Sequence, residues 1–187
     1  MGIRISERAE VFHVPYGALN SDGTPENGYI DIKANPAWIP VLSSCVGWPE
    51  TQNLLQILNA PSSVLISFAA DQAYVDTEPS QPLAPLTSFV TVGFADSTRN
   101  TKSSIVMLAE ALNQQFDFGL QNICNARQQS LNLDIVLELQ PTLFHDSQVK
   151  GWSLTVLLAA YGNDRAQVRE MWGVCLEMMG TVFGKYR

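Results

Sequence analysis

The sequence predicts an α+β fold: a mostly antiparallel sheet of four to six strands, with two or three helices packed on one face. Two kinds of periodicity predict it. Leu131, Leu133, Ile135, Leu137 and Leu139 alternate with polar Asn132, Asp134 and Glu138, the period-two pattern of a strand with one buried face. Residues 103–118 and 165–183 instead repeat their apolar positions every three or four residues, as helices do. With 187 residues the chain is read as one domain, 1–187, large enough to bury roughly two-thirds of its unfolded surface.

From the N-terminus, residues 1–48 read as irregular, an extended arm or a hairpin. Arg4 to Val14 suits a short strand or a docked arm. Asn20–Gly28 is turn-rich, because Asp-Gly and Asn-Gly tolerate left-handed backbone. Tyr29–Lys33 alternates like a strand and suggests a hairpin closed by a long loop. Pro49 suits a first helical position, and Leu54, Leu55 and Leu58 share a face of the helix that follows, which Pro61 ends. Val64–Phe68 reads as a buried strand, with a helix through Tyr74 as the alternative for residues 62–75. Pro79, Pro82 and Pro85 lie three apart within 76–88, a period that suits polyproline II, serving as a connection, a blocked sheet edge or an SH3-type ligand.

Phe89–Ala95 reads as a strand. The helix over Ser103–Phe118 carries Ile105, Leu108, Ala109, Leu112 and Phe116 on one stripe. After the Leu131–Leu139 strand, the polar segment His145–Gly151 leads into a strand over Trp152–Tyr161, predicted to pair antiparallel with its predecessor. The last helix, Arg165–Phe183, has Asp164 as its cap and Gln167 three residues on, a capping-box-like pair. Gly173 and Gly180 lie seven apart on it and offer a face for close approach by another element. Gly184, Lys185 and Arg187 suit its C-terminal end.

Charge and composition narrow the function classes. Residues 20–96 contain eight acids and one base, Lys33, whereas acids and bases cancel elsewhere. Phosphate backbones attract basic surfaces, so sequence-specific nucleic-acid binding is not expected. Charged residues make up only 16% of the chain, and Asn and Gln replace some of them, which lowers the desolvation cost of burying a surface against a partner. No apolar run reaches the roughly 18 residues of a membrane span, and the N-terminus lacks the apolar core of a signal peptide. Met1-Gly2 with Ser6 formally fits a myristoylation pattern, a short and common match. The reading is a soluble protein, cytoplasmic when made, without a membrane partner. Cys45, Cys124 and Cys175 are an odd, scattered set, better suited to reduced core thiols than to disulfides or zinc.

Candidate chemistry is sparse. The strand-to-helix junction at 96–104 offers Ser97, Thr98, Arg99, Lys102, Ser103 and Ser104, hydroxyls and cations beside helix-end amides, which together suit an anion such as phosphate. It lacks the glycines of a phosphate-cradling loop, and a solvated loop with a serine cap is the plainer reading. His145-Asp146-Ser147 contains triad residue types, but neighbours in sequence do not make triad geometry. His13 is the only other histidine, which leaves little material for a metal site. Asn20, Asp22, Thr24 and Glu26 alternate oxygen ligands, but Pro25 stands where a calcium loop needs glycine. Asp134 and Glu138 share a strand face as an acid–base pair or as ordinary solvated residues. Trp38 and Trp48 suit interface anchors or covers over the core, and Trp172 suits the core. No cofactor or catalytic set emerges, so the chain is read as not an enzyme.

The helix SSIVMLAEALNQQF, the strand LNLDIVLEL, the turn FHDSQVKG and the strand WSLTVLLAAY, over roughly residues 103–161, resemble the C-terminal half of bacteriophage tail-terminator or neck-type ring proteins. The resemblance implies a small subunit that forms a ring joining tail to neck. It implies homo-oligomers with other structural proteins as partners, a place in the virion, and no catalytic residues. A self-assembling, non-enzymatic structural subunit is therefore the expected function. The alternative is a small-molecule or phosphate-binding protein using the 96–104 junction.

Overall fold

The computed structural model describes residues 2–14, 30–75, 85–127, 132–162 and 164–187. Within them a mixed, mostly antiparallel sheet of six strands combines with three α-helices in an α+β arrangement. The strands are β1 (Gly2–Glu7), β2 (Phe12–Val14), β3 (Leu65–Tyr74), β4 (Leu86–Phe94), β5 (Leu133–Phe144) and β6 (Val149–Ala160). The helices are α1 (Pro49–Leu58), α2 (Lys102–Arg127) and α3 (Arg165–Phe183). Sheet order is β1-β5-β6-β4-β3, with β2 also on β5.

The alternation in β5 sets its register. Leu133, Ile135, Leu137 and Leu139 stand opposite Ala160, Leu158, Val156 and Leu154 of β6, and all eight are buried. They join Ile105, Leu108, Leu112, Phe116 and Leu120 of α2 and Val168, Trp172, Cys175, Met179 and Phe183 of α3 in one cluster, to which α1 adds Leu54 and Leu58. Apolar burial at roughly 25 cal/mol per Å² makes such a cluster the main stabilising term.

Helix α3 has the predicted bounds, and Asp164 accepts from Ala166 N–H at its start. A Cβ on Gly180 would come within 2.9 Å of Ile57 Cδ1, so the bare backbone there lets α1 lie close across α3. Arg169 of α3 ties the same pair together. Its guanidinium donates to both oxygens of Glu50 at 3.0 Å and to Gly47 O at 2.8 Å, and it stacks over Trp48. Burial acts to raise the Glu50 carboxyl, but hydrogen bonding and charge from Arg169, with a backbone bond, outweigh it and hold the group below its usual range.

Several expectations are corrected. Residues 30–33 are not a strand: Ile30 and Asp31 belong to no element and 32–34 form a turn, while Tyr29 and the 20–28 loop lie outside the described residues. The turn serves Lys33, whose ammonium donates to Ala60 O, Ser63 O and Leu65 O at 3.3, 2.8 and 2.8 Å. Together with Asn59, which accepts from Ser67 N–H, it satisfies backbone groups along the outer edge of β3. Helix is excluded over 65–74, where β3 pairs with β4 through a bulge between Ser67 and Ala69. Of the 76–88 segment, Leu86–Ser88 are strand, and 76–84 lie outside the described residues.

Helix α2 runs on past Phe118 to Arg127, with Leu120 buried and Gly119 seated against Met178. Strand β5 likewise runs through Pro141 to Phe144. Trp152 N–H turns away to Asn100 O, so the Pro141–Trp152 pair exchanges no ladder bond. The missing Pro141 N–H therefore faces the gap where β1 ends at Leu139 and β2 begins at Thr142. The N-terminal segment is ordered into those two short strands. Both lie parallel to β5, and residues 30–33 supply no strand to close the expected hairpin with them.

Candidate functional site

The junction between β4 and α2 is organised around Asn100, which is almost fully buried. Its amide brackets Phe94, accepting from the N–H at 2.7 Å and donating to the carbonyl at 2.9 Å. Its own carbonyl takes Trp152 N–H at 2.8 Å, and a Cβ on Gly151 would sit only 2.7 Å from that oxygen. A buried amide that pairs both backbone groups of one residue locks a loop, because leaving those groups unpaired costs about 1–3 kcal/mol each.

The six residues expected to hold an anion surround this lock, and each described contact engages them within the protein. Asp96 accepts from Thr98 N–H at 3.0 Å and from its hydroxyl at 2.7 Å, and these bonds, with the charge of Arg99, hold its carboxyl below the usual range. Ser97 donates to Ser147 at 3.0 Å. The Arg99 guanidinium lies 4.6 Å from the centre of the Phe94 ring. Lys102 pairs with Glu7 at 2.7 Å and lies 4.7 Å over Trp152. Thr101 caps α2 by accepting from Ser104 N–H at 3.2 Å, while its hydroxyl contacts those of Ser103 and Ser104. An anion entering here would compete with Asp96 and Glu7 for the same donors. Phosphate, nucleotides and carboxylates at millimolar concentration are accordingly expected to leave Tm unchanged. A ligand-dependent rise, worth about 2.7 kcal/mol at a hundredfold excess over Kd, that disappears with Arg99→Ala and Lys102→Ala together would establish anion binding.

The remaining candidates are dispersed. The His145 ring meets His13, and the Ser147 hydroxyl accepts from Ser97, so the residues of the His-Asp-Ser run turn to different partners. Asp134 accepts from Tyr161 at 3.5 Å, whereas Glu138 pairs with Arg8 at 3.5 Å. Burial, with the Asp134 charge and hydrogen bond, raises the Tyr161 phenol. Trp48 covers the core, half-buried between Tyr74 and Trp172, while Trp38 is 52% exposed. Cys175 is buried and its thiol pushed up to about 12, which leaves it without nucleophilic character. Asn20, Asp22, Thr24 and Glu26 lie outside the described residues.

No family model, curated protein or solved structure matches this chain. No helix among the described residues is long and apolar enough to cross a membrane. Sequence reasoning missed the Arg169–Glu50 clamp, the Lys33 carbonyl cage and the histidine pair, since each joins residues at least 27 positions apart and none carries a local motif. It also missed the outer face of α2. Met107 and Phe118, eleven residues or about three turns apart, are 66% and 68% exposed there. That signal was available, since both fall off the apolar stripe of Ile105, Leu108, Leu112 and Phe116.

Proposed function

We propose that this chain is a non-enzymatic structural subunit that assembles with copies of itself through the outer face of α2, the three helices covering one face of the sheet. The observation that carries the reading is the pair Met107 and Phe118, two large apolar side chains held in water on one helix face. Around them α2 offers the amides Gln114, Gln115, Gln121 and Asn122, with the carboxylates Glu110 and Asp117 along one border of the face. Interface cores are depleted of charge and enriched in Phe and Met, because amides and thioethers shed water at lower cost. A groove of about 430 Å³ beside Phe118, bounded by Ala111, Val182 and Tyr186, gives a protruding side chain from a neighbouring copy a place to seat.

A ring of the phage tail-terminator or neck kind, with other virion proteins as partners, is the form we propose for the assembly. What supports the ring is the order helix, strand, turn, strand in α2, β5 and β6 and its resemblance to those proteins. Size-exclusion chromatography with light scattering is expected to show an oligomer, and negative-stain microscopy a closed ring. Phe118→Asp with Met107→Asp should shift the protein towards monomer while its circular dichroism stays unchanged, since both side chains are exposed in the subunit. A wild-type protein that remains monomeric at high concentration would overturn the assembly reading.

A further inference from the structure

His13 and His145 are the chain's two histidines, 132 positions apart, and the fold brings them together. His13 lies on β2, level with Leu143 of β5 in a parallel register. His145 directly follows β5, and its N–H donates to Val14 O at 2.8 Å. Its own carbonyl accepts from Gln148 at 2.7 Å. On either side, Val14 and Phe144 are buried against Phe68, so both backbones are held by packing. Nδ1 of His13 and Nε2 of His145 are 2.8 Å apart, with the ring planes 25° from parallel.

Two facing imidazole nitrogens share either one proton or one metal ion. Ligands about 2.0–2.1 Å from a metal and at right angles to each other lie roughly 2.9 Å apart, whereas a tetrahedral pair lies roughly 3.4 Å apart. The observed separation matches the right-angled case. Neutral imidazole suits late first-row divalent ions, and square-planar or tetragonal sites are those of copper(II) and nickel(II). The pair is reachable from solvent, and the net charge of −7 favours an arriving cation. Among the described residues no cluster of three His, Cys, Asp or Glu side chains forms. We propose that His13 and His145 form a bidentate imidazole clamp for one late transition-metal divalent ion, with water completing its coordination and copper(II) or nickel(II) preferred over zinc. Occupied, the clamp ties the N-terminal strand β2 to the β5–β6 turn. It stands independently of the assembly proposed above.

The test titrates metal-stripped full-length protein with copper sulfate, nickel chloride, zinc chloride and magnesium chloride by calorimetry, alongside His13→Gln and His145→Gln. One copper per chain is expected, bound more tightly than zinc, with magnesium silent. Each single variant should lose at least the roughly 10–100-fold that loss of a mere outer-shell partner costs. Copper should also raise Tm in the wild type and not in the variants. Electron paramagnetic resonance of the copper-loaded wild type should show two nitrogen ligands, a readout that needs no folded variant. Copper binding that is absent, or unchanged in either folded variant, would overturn the clamp, as would a spectrum with fewer than two nitrogens.

Discussion

Ile135→Asp is expected to leave little folded protein. Ile135 is fully buried in β5, opposite Leu158 of β6 and level with Ile3 of β1. The aspartate would enter an apolar cluster that supplies no cation, and burying an uncompensated carboxylate costs several kcal/mol even after it takes up a proton. Domains of this size are stable by only about 5–15 kcal/mol, so one such residue consumes much of the margin. Ile135→Val, which removes one methyl, should cost about 0.5–1.5 kcal/mol and fold normally. Asn132→Asp, exposed one residue before β5, should be nearly silent. Circular dichroism and the soluble fraction on expression read all three. Equal tolerance of Asp at 132 and 135 would mean that the face assignment is wrong, since a one-residue slip exchanges the two faces of a strand.

Trp172→Ala should produce the next largest loss. Trp172 has no exposed surface, meets Trp48 edge-on at 5.3 Å between ring centres, and donates from Nε1 to Ser88 at 2.8 Å. Truncating a buried Trp costs about 3–5 kcal/mol through lost contacts and the cavity left behind. The buried Ser88 hydroxyl, stripped of its partner, adds about 1–3 kcal/mol. Trp172→Phe keeps much of the apolar volume and loses the donor, so it should fall between the wild type and Ala. Urea titration should show the midpoint falling in the order wild type, Phe, Ala with an unchanged slope. A loss below about 1 kcal/mol for Ala would show that the α3–β4 packing contributes little.

Residues whose structure follows from their own neighbours were legible from the chain. Helix α3 matched at both ends because its period and its Asp164 cap are local to it, although Gly184 ends it in right-handed backbone and not in the left-handed turn that favours glycine. The buried face of β5 followed from alternation, but its length did not, because Pro141 reads as a stop unless the gap between β1 and β2 is known. Alternation also misled at 30–33, where Lys33 reaches three carbonyls that are brought together only once α1 and β3 have packed.

At the candidate sites the same division holds. Hydroxyls and cations at 97–104 could be counted from the sequence, as could two histidines. That Glu7 would take Lys102 and that His13 would face His145 depended on β1 and β2 docking in parallel on β5, and that Asn100 would lock Phe94 to Trp152 depended on β4 coming to rest beside β6. The sequence by itself determined the α+β class, the helical and strand periods and the apolar faces, because these arise from propensity and pattern within one turn or one strand. Only the tertiary structure decided which distant groups fill each other's hydrogen-bonding capacity. Those pairings depend on where folded elements come to rest, and no spacing along the chain encodes that.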